Sequence, residues 1–217
     1  MGSFVLGKSI ARGLVAGSLA LAFVIGSAAT GKAQTATPAK RAVPVKFTLV
    51  PAKSKITFYV SSSLSDIQGT FGSWHGTLKI PVLGSTDGVS LMLNISTDSM
   101  TTGSGMKDGV IKGKDFFNVA QYPSITFVST KVIPTSDPSK FQVQGNFTLR
   151  GVTKLVTLDA TLNKDGTVDG LIHGALSFDR RDFGMTKNMP FNKVADTVKV
   201  TLDIDVERSV PVAHTAK

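Results

Sequence analysis

Residues 198–207 read VKVTLDIDVE and carry the plainest structural signal in this chain of 217 residues. Apolar and polar residues alternate along the whole stretch. The apolar set is Val198, Val200, Leu202, Ile204 and Val206, and the polar set is Lys199, Thr201, Asp203, Asp205 and Glu207. Because neighbouring side chains of a β-strand point to opposite faces, this alternation predicts a strand with one buried face and one face in water.

The same alternation recurs elsewhere along the chain. Four clear examples are ITFYVS (56–61), VSLMLNIS (89–96), FQVQGNFTL (141–149) and VTLDATL (156–162). Turn-forming sequences separate such segments, and they include Ser85–Gly88, Thr135–Ser139 and Asn163–Gly166. Eight or nine strands can be counted in this way. Short, regularly spaced strands predict an all-β protein, built either as an antiparallel sandwich or as a barrel.

One segment departs from the strand pattern. In residues 106–117, MKDGVIKGKDFF, apolar residues recur at helical offsets: Met106, Val110, Ile111 and Phe117. Two glycines weaken this pattern, since glycine is a poor helix former. The segment therefore predicts one short helix or helical turn.

The helix leads into DFFNVAQYPSITFVST, residues 115–130. Tyr122-Pro123 precedes a further alternating stretch in which Ile125 and Phe127 share one face. Proline suits the first position of a strand, because it lacks an N–H and its φ angle is fixed. We therefore expect a strand to begin directly after Pro123.

The N-terminal segment has the layout of a secretory signal peptide. Lys8 and Arg12 precede an apolar run at residues 14–25, and small residues follow. The run has twelve residues, fewer than the ~20 that span a bilayer. Residues 1–33 are thus predicted to be cleaved off, with Ala29 as the other candidate cleavage point. An uncleaved short anchor is the alternative.

The next residues, 34–46, are rich in Pro, Ala and Thr and predict a flexible linker, and residues 208–217 form a similar tail. The chain contains no cysteine, so disulfides cannot stabilise it. Together with the signal peptide, this predicts a bacterial periplasmic protein whose stability comes from an apolar core.

The formal net charge is +9, and three of the basic residues fall in the predicted signal peptide. The remaining basic residues are scattered, without the basic stripe and interleaved aromatics of a nucleic-acid interface. We therefore predict no nucleic-acid partner. The modest excess of positive charge is compatible with transient contact with an anionic membrane surface.

No motif for catalysis or metal binding stands out. Asp182-Phe183-Gly184 matches the magnesium-binding triplet of protein kinases, but the other kinase loops are missing. His75, His173 and His214 have no metal-site spacing. The sequence predicts a protein that is not an enzyme, with no catalytic residues and no metal.

Apolar side chains are abundant instead, with thirteen Phe, six Met and one Trp. Eight strands closed into a barrel enclose an interior that either fills with side chains or holds one small ligand. Alternation along the strands does not distinguish these two outcomes.

Three segments resemble the YceI family of bacterial exported proteins. DFFNVAQYPSITFVST is similar to that family's Asp-Phe-Phe, Tyr-Pro and Ile-x-Phe-x-Ser pattern. Residues 145–162, GNFTLRGVTKLVTLDATL, are similar to its Leu-Thr-x-x-Gly-Val-Thr-Lys hairpin, and residues 178–185, FDRRDFGM, to its Arg-x-Asp-Phe-Gly-Met segment. Their order and spacing also agree, and the resemblance covers residues 47–207.

Two positions depart from the family pattern. Relatives commonly carry Lys-His-Leu-Gly where this chain has Ser62 to Ser65, and a histidine in the helix where this chain has Val110. A head group that those histidines contact in relatives would meet different side chains here.

The resemblance implies a lipocalin-like antiparallel barrel of about eight strands, closed or nearly closed, with one short helix. It also implies a carrier that binds a polyisoprenoid or another long amphiphilic chain in the barrel lumen, with no cofactor beyond such a bound isoprenoid lipid or quinone. The residues expected at the lumen are Ile56, Phe58, Val60, Leu91, Leu93, Ile95, Phe116, Phe117, Ile125, Phe127, Phe147, Leu149, Phe183, Met185 and Leu202. Phe116 and Phe117 are expected to cap one end of the barrel.

Four polar residues are expected at the rim: Lys107, Asp108, Arg180 and Asp182. Arg180 either pairs with an acid or meets an anionic head group. Phe147 depends on Gly145, because a bulge there would reverse the alternation after it. The alternative function is a ligand-free stress or interaction module with a filled barrel, and a dimer is compatible with either function.

Overall fold

The computed structural model describes residues 45–162 and 170–209, with side chains for 47–162 and 170–208. This part of the chain forms eleven strands and one α-helix. The strands are β1 (Val45–Leu49), β2 (Lys55–Ser62), β3 (Ile67–Phe71), β4 (Trp74–Ile80), β5 (Ser90–Ser96), β6 (Met100–Thr101), β7 (Ser124–Pro134), β8 (Lys140–Leu149), β9 (Val152–Thr161), β10 (Gly170–Asp179) and β11 (Val194–Ser209). The helix α1 spans Gly105–Lys112, and 3-10 turns occupy Pro51–Lys53, Thr97–Ser99 and Arg180–Phe183.

Eight of these strands close into a barrel. Their order is β1-β4-β5-β7-β8-β9-β10-β11, every neighbouring pair is antiparallel, and β11 also pairs with β1. Leu49 lies opposite Val206 at this closure. The ring leaves none of its eight strands without a partner on either side. The barrel and its single helix confirm the fold predicted from the sequence.

The other three strands lengthen the wall at one end. β2 follows β1 along the same edge of β11, with Ile56 opposite Leu202. β3 pairs with β2, and β6 pairs with β3. The pairs β1–β2, β3–β4 and β5–β6 therefore act as three long, interrupted strands, which is how eleven segments build an eight-stranded barrel.

The two ends of the barrel differ. At the open end, residues 81–89 connect β4 to β5 and residues 135–139 connect β7 to β8. At the opposite end, called the helix end, lie α1, the β8–β9 turn and residues 180–193. All inward-facing side chains lie between these two ends.

The predicted alternation holds along the strands. On β11, Val198, Leu202, Ile204 and Val206 are buried, and Lys199 is exposed. The hydrophobic core is thus the interior of the barrel.

A bulge lies opposite Gly145 rather than in its own strand. Ser129 pairs with Gly145 and Lys131 with Gln144, so Thr130 of β7 is the extra residue. The alternation along β8 therefore continues, and Phe147 remains on the inner face.

Several predicted segments lie outside the described residues: the signal peptide at 1–33, the linker from 34 to 44, the tail from 210 to 217 and the turn Asn163–Gly166. β1 begins two residues inside the predicted linker, and β11 ends two residues beyond the predicted barrel. Within 45–162 and 170–209, no helix has the length and apolarity to cross a membrane.

Candidate functional site

The open end of the barrel contains a cavity of about 770 Å³. All eight strands of the ring contribute to its wall, and almost all of the wall side chains are hydrocarbon. The wall residues are Leu49, Leu78, Ile80, Leu91, Leu93, Val132, Pro134, Phe141, Val143, Leu158, Ala160, Ile172, Gly174, Leu202 and Ile204. A cavity of this size and character is typical of a site for a small apolar ligand.

Polar side chains line the cavity at its mouth. Ser85, Thr86 and Asp87 belong to the loop after β4, and Ser139 belongs to the loop before β8. Asp87 is exposed, and it is the one ionisable side chain in the lining that the described residues provide. An apolar interior with a polar mouth suits an amphiphile whose tail lies deep and whose head stays near solvent.

The helix end is filled. Its remaining cavity has a volume of about 50 Å³. Two clusters of three phenylalanine rings occupy this half of the barrel, with ring centroids 5.2 to 6.2 Å apart. One cluster is Phe58, Phe71 and Phe117, and the other is Phe147, Phe178 and Phe183.

The residues expected at the lumen fall into three groups. Leu91, Leu93 and Leu202 line the large open-end cavity. A second group lines the small helix-end cavity: Phe58, Val60, Phe116, Phe117 and Met185. The third group is buried and lines neither cavity: Ile56, Ile95, Ile125, Phe127, Phe147, Leu149 and Phe183. The barrel interior is thus packed at one end and empty at the other.

Arg180 is buried in the helix end rather than exposed on a rim, with 4% of its surface accessible. Its Nε donates to the carbonyl of Ala195 at 3.0 Å. Its Nη1 donates to the carbonyls of Met185 and of Lys187, the latter at 2.8 Å. Its Nη2 donates to the carbonyl of Val194 at 3.0 Å and to Asp196 Oδ1 at 3.2 Å.

A guanidinium has five N–H donors, and Arg180 uses all five on groups of its own chain. Gly184 permits this arrangement, because its φ of +76° turns the chain back over Arg180. Of the two roles considered for Arg180, this geometry matches the structural one.

The other polar residues expected at the rim also lie at the helix end. Asp108 accepts hydrogen bonds from the Thr102 hydroxyl at 2.6 Å, from the Thr102 amide at 2.7 Å and from the Thr101 hydroxyl at 2.7 Å. These bonds lower the pKa of Asp108. Asp108 therefore ties the start of α1 to β6, while Lys107 is half-buried and Asp182 is exposed.

Much of the cavity wall was not identified from the sequence, although some wall residues alternate in step with residues that were predicted to face inward. Phe141 and Val143 share the face of Phe147 on β8, and Ile204 shares the face of Leu202 on β11. On β4 the signal was weaker, since Gly76 interrupts the apolar face. Alternation identifies the inner face but not the depth of a residue along the barrel axis.

The described residues contain no group of three or more His, Cys, Asp or Glu side chains placed to hold a metal ion. His173 Nδ1 lies 2.7 Å from Asp203 Oδ1, but this pair is exposed and lies outside the lining of both cavities.

A family model described as the YceI-like domain matches residues 47–206. A UPF0312 protein of Pseudomonas savastanoi pv. phaseolicola is 32% identical over 147 residues, which cover 65% of this chain and 72% of that protein. Both comparisons span most of the barrel.

Solved structures share the fold. BcnA of Burkholderia cenocepacia superposes with a TM-score of 0.66 at 25% identity, over 73% of this chain and 99% of that chain. A polyisoprenoid binding domain from Saccharophagus degradans has a TM-score of 0.54 at 15% identity, over 76% of this chain and 99% of that chain. At that identity the second likeness shows the fold alone. The match over residues 47–206, together with the closed barrel, shows that this chain belongs to the YceI-like family.

Proposed function

We propose that this protein is an exported, non-catalytic binding protein that holds one long-chain amphiphilic lipid, of the polyisoprenoid or a similar class, in the open-end cavity. The observation that carries this proposal is the cavity of about 770 Å³, which all eight strands enclose with apolar side chains. Protein interiors are normally close-packed, with few voids larger than a water molecule. A void of this size is therefore a strong sign of a ligand.

The cavity volume sets the size of the ligand. A water molecule occupies roughly 30 Å³ in the liquid, and a methylene group is of similar size. The cavity of about 770 Å³ therefore has room for roughly 25 carbon-sized groups, or about five isoprenoid units.

The apolar wall supplies the affinity. Burying roughly 25 carbon-sized groups at about 0.8 kcal/mol each contributes on the order of 20 kcal/mol. Lost translational and rotational freedom opposes this by roughly 4–15 kcal/mol, and ordering the flexible chain adds to that cost. The balance favours binding without any dedicated motif, which agrees with the lack of one in the sequence.

The shared fold is compatible with a binding function. A polyisoprenoid binding domain from Saccharophagus degradans is built on the same barrel. The alternative, a ligand-free module with a filled barrel, agrees with the packed helix end. The open-end cavity counts against it, because a scaffold has no need of an apolar void.

The test is to express the full chain in a Gram-negative host and to purify it from the periplasmic fraction without detergent. Native mass spectrometry and organic extraction should then show one bound lipid per chain. The mass of the purified chain should place its N-terminus after Ala33 or Ala29.

A fully delipidated sample supplies the second arm. It should take up a prenyl chain of about five units at a ratio of one to one. The proposal would be contradicted if the purified protein is empty and also fails to take up prenyl chains or fatty amides.

A further inference from the structure

We infer that the open-end cavity accepts a lipid with an uncharged polar head and rejects the same chain with a phosphate or pyrophosphate head. This inference rests on the proposed function, and it specifies which class of long-chain lipid the protein takes.

The head group must lie at the mouth of the cavity. Below the mouth the wall consists of aliphatic side chains and one phenylalanine, Phe141. A polar group placed there would lose its hydrogen bonds to water without replacement, which is costly. At the mouth, Ser85, Thr86 and Ser139 provide hydroxyl groups.

The charges around the mouth do not suit an anion. Asp87 lies in the lining itself, and its exposed carboxylate would repel a phosphate. Lys79 and Lys131 are exposed and alternate with the inward residues Ile80 and Val132, so their side chains lie on the outer face of the barrel.

Lys140, which follows Ser139 of the lining, is already paired. Lys140 Nζ lies 3.4 Å from Asp137 Oδ2. Arg208, near the end of β11, is exposed and lies outside the lining. Among the described residues, the cavity lining therefore contains one carboxylate, Asp87, and no lysine or arginine.

The buried arginine does not change this balance. Arg180 lines the small helix-end cavity and not the open-end cavity. All five of its N–H donors are used within the chain. An anionic head would have to break those bonds to reach it.

The mouth does suit an uncharged head. The Ser85 hydroxyl oxygen accepts the Asp87 amide at 3.0 Å, which leaves its proton free to donate. The Thr86 hydroxyl is half-buried and has no partner among the described residues. A hydroxyl can both donate and accept, so these two groups can bond an alcohol, a carbonyl or an amide.

The experiment compares two ligands that differ only in the head. Geranylgeraniol and geranylgeranyl pyrophosphate carry the same C20 chain. Delipidated protein is titrated with each below its critical micelle concentration, at low salt, by isothermal titration calorimetry. We expect the alcohol to bind at least about tenfold more tightly. Two like charges a few ångströms apart repel each other by at least the free energy that corresponds to about a tenfold difference in affinity.

Two matched variants assign the selectivity to the mouth. The gap is the ratio of the dissociation constant of the pyrophosphate to that of the alcohol. Asp87→Lys should lower this ratio at least about fivefold. Asp182→Lys makes the same charge change at the helix end and should leave the gap unchanged. Melting curves check that both variants fold. If Asp87→Lys is unstable, Asp87→Asn replaces it and should narrow the gap less.

Each outcome has one reading. If neither ligand binds, the proposed function fails with the inference. If pyrophosphate binds as tightly as the alcohol or more tightly, the inference is overturned while the proposed function stands. An equal response of the gap to Asp87→Lys and Asp182→Lys also overturns it, because overall charge and not the mouth would then set the preference.

Discussion

The ring of Phe127 lies against Gly145 on the neighbouring strand and fills the space that a side chain at residue 145 would need. A Cβ atom at residue 145 would lie 2.5 Å from Cζ of Phe127 and 2.7 Å from the carbonyl oxygen of Val128. Phe127 in turn pairs with Leu93, which lines the open-end cavity. Because Gly145 of β8 has no side chain, the ring of Phe127 can pack beside the cavity.

Gly145→Ala should lower the free energy of unfolding by about 1–3 kcal/mol, since the new methyl group overpacks this contact. Chemical denaturation of the delipidated protein measures the change. Gly109→Ala is the matched control, because a Cβ added there meets no atom within 4 Å outside its chain neighbours and the backbone of its own helix. At that helical site, the substitution should leave the free energy of unfolding unchanged or raise it by up to ~1 kcal/mol. A stable Gly145→Ala variant would contradict the packing described.

Truncation should cost more at the packed end than at the cavity wall. Phe147 touches the rings of Phe178 and Phe183, with centroids 5.2 and 5.4 Å away, so Phe147→Ala should cost about 3–5 kcal/mol. Leu91 is half-buried and borders existing space, so Leu91→Ala should cost less than ~2 kcal/mol. Urea unfolding of both variants measures the two losses of stability. A larger loss for Leu91→Ala than for Phe147→Ala would contradict a barrel that is packed at the helix end and empty at the open end.

Leu93→Trp should shorten the cavity. Leu93 is 2% exposed and lines the cavity wall, so a larger side chain extends into the empty volume. We expect the variant to fold and to bind C10 and C15 prenyl alcohols while losing affinity for longer chains. A chain-length series in the same titration measures this. Unfolding, or an unchanged preference, would show that residue 93 does not face open space.

Arg180→Ala should destabilise the protein by roughly 3–5 kcal/mol, because it leaves buried carbonyl groups without their donor and removes one of the two arginine partners of Asp196. Binding of neutral and anionic lipids should fall alike, and only as far as the fold weakens. Arg181→Ala, which removes an exposed neighbour with ion pairs to Asp179 and Asp196, is the control and should cost clearly less. Selective loss of the pyrophosphate ligand would instead place Arg180 at a head group.

Acid should weaken the helix end through Asp179. Hydrogen bonds from the Arg181 side chain and amide lower the pKa of Asp179 from its ordinary 3.8 to about 2. The unfolded chain then takes up the proton first, so this stabilisation is complete above pH 3.8 and is lost as the pH falls toward 2.

The variant Asp179→Asn isolates that effect. Its unfolding free energy should fall less steeply than that of the wild type between pH 4 and pH 2, as measured by urea titrations at each pH. Asp182→Asn controls for the loss of a nearby surface charge. Identical slopes for wild type and Asp179→Asn would argue against the Arg181 contact.

The sequence by itself determined the longer alternating strands and the inward-facing side chains on them. Alternation follows from the geometry of a single strand, so β11 and β8 could be predicted from their own residues. The family could also be identified, because its motifs are local segments with a fixed order.

Only the tertiary structure decided where the barrel is full and where it is empty. Leu93 and Ile95 share one face of β5, yet the first borders the cavity and the second is packed beyond it. Arg180 likewise follows a strand in the sequence, but its five partners come from residues 185–196 after the chain turns back. Depth along the barrel axis and the supply of hydrogen-bond partners depend on which strands meet, and no single strand contains that information.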